Sequence, residues 1–533
     1  MAKVFGIDLG TTYSCIAFVN DYGKAEVVNN QDSSPITPSV VAFEEGGNVS
    51  VGNAAKETLK SDPDNVCSTI KRQMGKRDYT FNAFGNEYTP EAISSLILQK
   101  VTNDASQILG EEVKNVVITC PAYFGLSERE ATKNAGEIAG LNVLGILNEP
   151  TAAAISYGMQ VDTPQTVMVY DLGGGTFDVT VIKVESGTIQ VVATGGDHML
   201  GGKDWDNVIR EYVVNTYCEQ TGESSDSIYD DNEVMGDLEL NAETAKKQLT
   251  QREKSVIKLN RKQIEITREL FESNTSTLLE STITKTRETM DGAAKKGVTH
   301  YDKILLVGGS TRMPQVQNRL KQEFPEIPVE FCDPDQSVAK GAAIYGINMA
   351  AFAQTEGGAP VVTAEEKEEL KKNPVFKIGG SSNAGTQPIK IVNVLSQCVA
   401  IRLICPDGTE RIVNQIYKNT AVPCEHELNA ATVDDNQEIV HLALYENSSA
   451  DEYVDEGLCK LLVEGDLGPL PPNLPANEPI DVVFKIDVNG LLSADAEHKP
   501  SGKTTHIEVQ LQDALTETQL EEEKKKVTGL KVQ

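Results

Sequence analysis

A glycine-rich turn between two strands occurs twice in this chain, and nothing else constrains the fold so tightly. Residues 169–181 read VYDLGGGTFDVTV. An apolar run ends in Asp171, turns through Gly173, Gly174 and Gly175, and leaves as an alternating strand past Thr176 and Asp178. Glycines carry no Cβ, so their backbone N–H groups can wrap an anion. Thr176 adds a hydroxyl, and the two aspartates put carboxylates on either side. Such a turn cradles phosphates with a metal between them, although glycine hairpins without ligands are common. Residues 3–19, KVFGIDLGTTYSCIAFV, repeat the plan with Asp8, Gly10, Thr11 and Thr12. Taken alone this first hairpin fits an ordinary tight turn as well as a phosphate cradle. The pair predicts a duplicated lobe.

Composition narrows the ligand. The 533 residues allow three or four domains and a large core. With 79 acidic against 48 basic residues the net charge is −31, which argues against nucleic acid and against anionic membranes as partners. A small anion must then be held by locally placed cations. The nine cysteines include no CxxC pair, so neither structural zinc nor a disulfide framework is expected. The N-terminus runs straight into a strand, and no apolar run approaches the ~18–20 residues of a spanning helix. A soluble, cytoplasmic protein is expected.

Further candidates follow along the chain. Lys71, in CSTIKRQMGKR, has the reach to meet a phosphate as a point charge, though most lysines are solvated. A helix is expected from Pro90 to Leu109, and a strand over 113–119 that ends in PAYF. Ser127 is the expected N-cap of the next helix. Glu149 stands at a strand-to-helix junction, where side chains project into clefts. Residues 190–202 form a β segment ending in LGG. Residues 220–240 are polar and acidic, and a loop is expected there, with helix resuming at Leu238. Helical spacing brings Glu243, Lys246 and Lys247 toward one face, as a clamp on a ligand or an exposed ion-pair helix. KILLVGGSTR at 303–312 is a buried strand entering a helix N-terminus, which favours phosphate or polar ligand edges. The composition of 354–388 offers no core, so a linker is expected. Short alternating strands over 390–505, with turns at 406–408, 434–437 and 487–491, predict a separate all-β sandwich.

Together these motifs resemble the heat shock protein 70 family of DnaK-type molecular chaperones. The carriers are IDLGTTYS from Ile7, NEPTAAA from Asn148, DLGGGTFDV from Asp171 and GGSTR from Gly308, with PAYF from Pro121. The resemblance is close over residues 3–352 and looser over 390–510. It implies an α/β actin-like (ribonuclease H-like) two-lobe ATPase domain over 1–353. A linker over 354–391, an all-β peptide-binding sandwich over 392–513 and a short helical tail over 514–533, the start of a lid, would follow. ATP or ADP with Mg²⁺ would lie between the lobes. Gly10, Thr11, Thr12 and Tyr13 would hold phosphates from one lobe, and Gly173, Gly174, Gly175, Thr176 and Gly202 from the other. Asp8 and Asp171 would orient Mg²⁺ largely through water. Glu243, Lys246, Lys247 and Thr250 would meet the adenosine, with Gly308, Gly309, Ser310, Arg312 and Asp335 completing its pocket. Lys71, Glu149, Asp171, Thr176 and Asp178 are the catalytic candidates for water attacking the γ-phosphate, with no single carboxylate singled out as base. Pro121 and Arg129, with Glu149, would relay nucleotide state to the sandwich. There Val440 would line a pocket for an extended hydrophobic peptide.

Four departures accompany the resemblance. The family's usual arginine before NEP is Gly145 here, and its linker aspartate is Asn393. Both belong to the docking surface for J-domain co-chaperones, so their loss argues against ordinary J-protein stimulation. The helical lid is cut short, which predicts fast peptide release. A cleft phenylalanine is replaced by Ala430. The expected function is an ATP-driven chaperone for unfolded polypeptides, served by a nucleotide exchange factor. The alternative is an ATP-binding regulatory or assembly partner that does not cycle clients.

Overall fold

The computed structural model describes residues 3–158, 163–185, 188–352, 363–376, 388–487, 492–508 and 515–533. They form two compact units. The first comprises Met1–Ala122, Ala131–Lys390 and Leu515–Gln533, and the second Tyr123–Glu130 and Ile391–Ala514.

The duplication is visible in strand order. In the first unit one sheet runs Ala25–Val27, Tyr13–Val19, Val4–Asp8, Asn115–Cys120, Asn142–Asn148. Another runs Thr188–Asp197, Phe177–Glu185, Gln165–Leu172, Lys303–Val307, Val329–Phe331. Each has an antiparallel hairpin followed by two parallel strands. The inner parallel strands Asn115–Cys120, Gln165–Leu172 and Lys303–Val307 are near-continuous buried apolar runs, as strands covered on both faces require.

The alanine-rich helices pack hard against the first sheet. A Cβ at Gly6 would lie 2.1 Å from the backbone N of Ala343 in the helix Ser337–Phe352. A Cβ at Gly341 would lie 1.7 Å from the carbonyl oxygen of Ala152 in the helix Glu149–Gly158. Small residues therefore set the spacing of this layer. The second lobe fills its core with larger groups, among them the fully buried Trp205, Tyr170 and Phe177.

Three expectations are corrected. The acidic stretch 220–240 is helical: Ser225–Tyr229, then Asn232–Leu249, which starts where the Asp231 side chain accepts from Val234 N. Its polarity misled because few apolar side chains turn inward there: Ile228, Leu238 and Leu240 are buried, and Val234 and Met235 pack partly buried against the core. Ser127 is not an N-cap; it lies buried inside the helix Leu126–Ile138. The 354–388 stretch does contribute core. Ala364–Leu370 is a helix with a Thr363–Glu366 capping box, and Leu370, Val375 and Phe376 are buried. The Phe376 ring meets Phe352 edge-on at 5.0 Å. Residues 353–362 and 377–387 of that stretch lie outside the described residues.

A small antiparallel sheet of Val40–Phe43, Asn48–Val51 and Val66–Ser68 also belongs to the first unit. The tail joins it. Glu517–Thr528 is the expected helix, but the chain continues into a strand, Lys531–Val532, parallel to Asn48–Val51.

The second unit is an antiparallel sandwich. One sheet orders Tyr453–Val454, Glu410–Ile416, Cys398–Ile404, Val440–Asn447, Cys459–Leu467; the other Cys424–Ala431, Pro479–Ile486, Leu492–His498, Lys503–Glu508. Ile480, Val482, Phe484 and Ile486 alternate inward and pack with Leu492, Ala494 and Ala496. The strands flanking the expected 487–491 turn pair as a hairpin, but residues 488–491 lie outside the described residues. Ala430 and Val440 pack, partly buried, against the same core.

Candidate functional site: a cleft between two glycine hairpins

The two hairpins meet tip to tip. A Cβ on Gly174 would sit 2.1 Å from Thr12 Oγ1, and one on Gly175 2.2 Å from Thr11 Cγ2. The glycines thus do more than free N–H groups; they let the turns close on each other. Gly173 N donates to Thr176 O at 3.0 Å, which shapes the second turn. Ser310 Oγ donates to Gly173 O at 2.8 Å, and Gly308, at φ 78°, leaves no room for a Cβ beside Asp171. The 303–312 loop is therefore built onto the second hairpin.

A cleft of about 410 Å³ lies here. Its lining brings together Asp8, Gly10, Thr11, Thr12, Tyr13, Lys71, Glu149, Asp171, Gly174 and Thr176. Glu243, Lys246, Lys247, Thr250, Gly308, Gly309, Ser310, Arg312 and Asp335 line it as well, as does Asp206. Gly173, Gly175, Gly202 and Asp178 are behind that surface. Asp178 pairs in register with Asp171 across the hairpin, and its Oδ1 accepts from Ala122 N at 2.9 Å. Pro121 is the residue before that contact. Arg129 Nε donates to Phe124 O at 3.3 Å within the second unit. Gly145, on Asn142–Asn148, faces Met349 Sδ, 3.2 Å from where a Cβ would be. Asn393 lies in the strand Lys390–Val394.

The electrostatics concentrate at the foot of the cleft. Lys71 Nζ meets Glu149 Oε1 at 2.5 Å, both buried. Thr119 Oγ1 donates to Asp8 Oδ1 at 3.2 Å. Burial, then repulsion from Glu149, pushes the Asp8 carboxyl up to about 7, against the pull of Lys71. Asp171 is raised well above the usual carboxylate range by burial, then by Glu149, Asp178 and Asp8. Burial opposes charge on Lys71, but Glu149 and Asp8 outweigh it and hold the ammonium above its ordinary value. One lysine thus faces three carboxylates. That surplus of oxygen ligands suits a divalent cation held by few protein groups and completed by water and phosphate. Among the described residues, no three or more His, Cys, Asp or Glu side chains converge as a ready-made metal cage.

At the rim, Tyr13 OH donates to Glu243 Oε1 at 2.8 Å, and Lys56 Nζ meets Glu243 Oε2 at 2.5 Å. Lys247 Nζ lies 2.6 Å from Glu243 Oε1. The two lysines outweigh burial and hold the Glu243 carboxyl far below the usual range. Lys246 turns elsewhere: it donates to Gly202 O at 2.7 Å and pairs with Asp206 at 2.8 Å. The expected single face therefore splits into two jobs.

Sequence reasoning missed Lys56, Arg72 and Asp206. Arg72, next to Lys71, donates from Nε to Gly175 O at 2.9 Å and pairs with Asp204 at 2.7 Å. Its adjacency to Lys71 was the available signal. Lys56 sits in NAAKET and carried none.

A duplicated α/β unit whose paired glycine hairpins enclose a carboxylate–lysine cluster, joined in one chain to an antiparallel sandwich, is the class these features define. A family model described as Hsp70 protein matches residues 4–355 and 381–532. The chain is 36% identical over 532 residues to the chaperone protein DnaK of Halobacterium salinarum, covering 98% of this chain and 77% of that one. It is 36% identical over 531 residues to the chaperone protein DnaK of Thermotoga petrophila, covering 97% and 82%. The chain belongs to the Hsp70 family. Membership implies an actin-like ATPase domain and a β-sandwich, in keeping with the two units described. Among the described residues, no helix is long and apolar enough to cross a membrane.

Proposed function

We propose that the cleft hydrolyses ATP and that the sandwich holds extended segments of unfolded polypeptide; the protein is an ATP-dependent molecular chaperone. The observation that carries the cleft's part is the Lys71–Glu149 pair set against Asp8 and Asp171, directly below the meeting point of the two hairpins.

Gly10, Thr11, Thr12 and Tyr13 on one lobe and Gly173, Gly174, Gly175 and Thr176 on the other hold the phosphates, with Gly202 supporting the second turn. Asp8 and Asp171 would hold Mg²⁺, largely through water, and the ion would supply charge neutralisation on the phosphates. Lys71 places an ammonium at the γ-phosphate. The Thr176 hydroxyl adds a hydrogen bond there. Glu149 and Asp171 orient the attacking water, and Asp178, in register behind Asp171 and held by the Ala122 N–H, acts on the water only through Asp171. Catalysis of this kind is positioning and electrostatic stabilisation. Glu243, Lys246, Lys247 and Thr250 face the adenosine from one side, and Gly308, Gly309, Ser310, Arg312 and Asp335 from the other. Pro121 and Arg129 transmit nucleotide state, and Val440 lines the peptide pocket. The protein works in the cytoplasm with a nucleotide exchange factor. Gly145 and Asn393 leave J-domain stimulation weak.

The test is steady-state ATP turnover and nucleotide binding in Lys71→Ala, with peptide stimulation measured on the wild type. Binding retained with turnover lost supports the assignment. Turnover at the wild-type rate sinks the role of Lys71, and a rate indifferent to unfolded peptide sinks the coupling.

A further inference from the structure

Residues 515–533 are anchored to the first unit at three points. The helix Glu517–Thr528 buries Val527 and Glu523. Thr89 Oγ1 donates to Glu523 Oε2 at 3.4 Å, and Lys526 Nζ donates to Glu87 O at 2.8 Å. The strand then adds to an edge: Lys531 N donates to Gly47 O at 3.0 Å, Gln533 N to Val49 O at 2.8 Å, and Val51 N to Gln533 O at 3.3 Å. Main-chain bonds of this kind are how an exposed sheet edge captures an extended segment.

That edge leads straight to the rim of the cleft. Gly52 follows Val51, has φ 94°, and donates its N–H to Val40 O at 3.0 Å. The helix Asn53–Thr58 begins at the next residue and carries Lys56. Lys56 then reaches Glu243 and Tyr13. A short, hydrogen-bonded path therefore joins the tail strand to the clamp.

We propose that the outer edge of Asn48–Val51 is a strand-acceptor surface whose resident is Lys531–Gln533, and that seating this strand braces the Lys56–Glu243 clamp and slows the departure of nucleotide. The second half rests on the ATP reading above; the first does not. Release of the tail frees Gly47 O, Val49 O and the Val51 N–H, and it loosens the turn at Gly52 that aims Lys56.

Two variants of the full chain test this. Lys531→Pro removes the N–H given to Gly47 and places a ring against the partner strand. Val527→Asp puts a charge in the buried helix anchor. Each is expected to deprotect the Val51 amide in hydrogen exchange and to speed release of a fluorescent ADP analogue about fivefold or more. Lys531→Ala keeps the N–H and should match the wild type in both readings. In a Lys56→Ala background, Lys531→Pro should add little to the release rate. Unchanged Val51 protection in both variants overturns the docking. Lost protection with unchanged release overturns the brace. A wild type that binds no ADP refutes the brace together with the ATP reading, and the strand surface is then judged on Val51 exchange alone.

Discussion

Gly174 faces Thr12 so closely that a Cβ on the glycine would lie 2.1 Å from the threonine hydroxyl oxygen. The two hairpins, one from each lobe, therefore share a contact surface that admits no added carbon. Gly174→Ala must push the turns apart, at about 1–3 kcal/mol of stability, the usual cost of overpacking. ATP turnover should fall by more than tenfold, because displacement of about 1 Å at a positioning site costs on the order of 100-fold in rate. Thr12→Gly added to Gly174→Ala should restore melting temperature but not turnover. A Gly174→Ala protein with wild-type melting and rate would refute the shared surface.

The Lys71–Glu149 pair is buried, so breaking one side leaves an uncompensated charge. Lys71→Ala should destabilise the protein by about 3–5 kcal/mol. Lys71→Ala with Glu149→Gln should recover much of that loss while turnover stays absent. Denaturant melts of the two single variants and the double variant give the coupling directly. Additive losses would show that the pair does not interact.

Asp8 titrates higher in the folded state, about 7, than in an unfolded chain. The native state therefore binds more protons than the unfolded state between roughly pH 4 and 7, and stability falls as pH rises through that window. Asp8→Asn should melt close to wild type at pH 4 and above it at pH 7.5, by about 3–4 kcal/mol. Thermal melts without nucleotide at the two pH values measure the crossover. Mg²⁺ should narrow the gap by stabilising only the wild type. A gap that is constant with pH removes Asp8 from the coupled cluster.

Phe376 is buried against Phe352 although it lies in a stretch of poor composition. Phe376→Ala should cost about 3–5 kcal/mol, the range for truncating a buried aromatic. A loss under about 0.5 kcal/mol, typical of surface changes, would return that residue to linker status.

Motif and period made the duplicated lobe legible, because Asp8 and Asp171 each end an apolar strand at a glycine turn. They also made most of the cleft lining legible, since Gly10–Tyr13 and the 308–312 loop are contiguous in sequence. Lys56 and Arg72 were not, because each acts through a partner on the other lobe, Glu243 and Asp204, that no local pattern announces. Helix 232–249 was obscured by its own surface: charged residues cover its outer face, and one capping aspartate starts it. The 363–376 segment failed for the opposite reason. Its apolar groups are few and widely spaced, so they only become core once Phe352 is beside them.

The placement of Lys531–Gln533 on the Asn48–Val51 edge also bears on how the protein is made. A ribosome delivers residue 531 long after residue 51, with the whole of the sandwich emerging between residue 390 and the tail. At about 5–20 residues per second, that edge waits roughly 7–30 s after residue 390 is made before its last strand exists. Throughout that interval the small sheet presents unpaired backbone groups to the nascent-chain environment. A chaperone built this way has an assembly-sensitive edge of its own, closed only once residues 531–533 have been made.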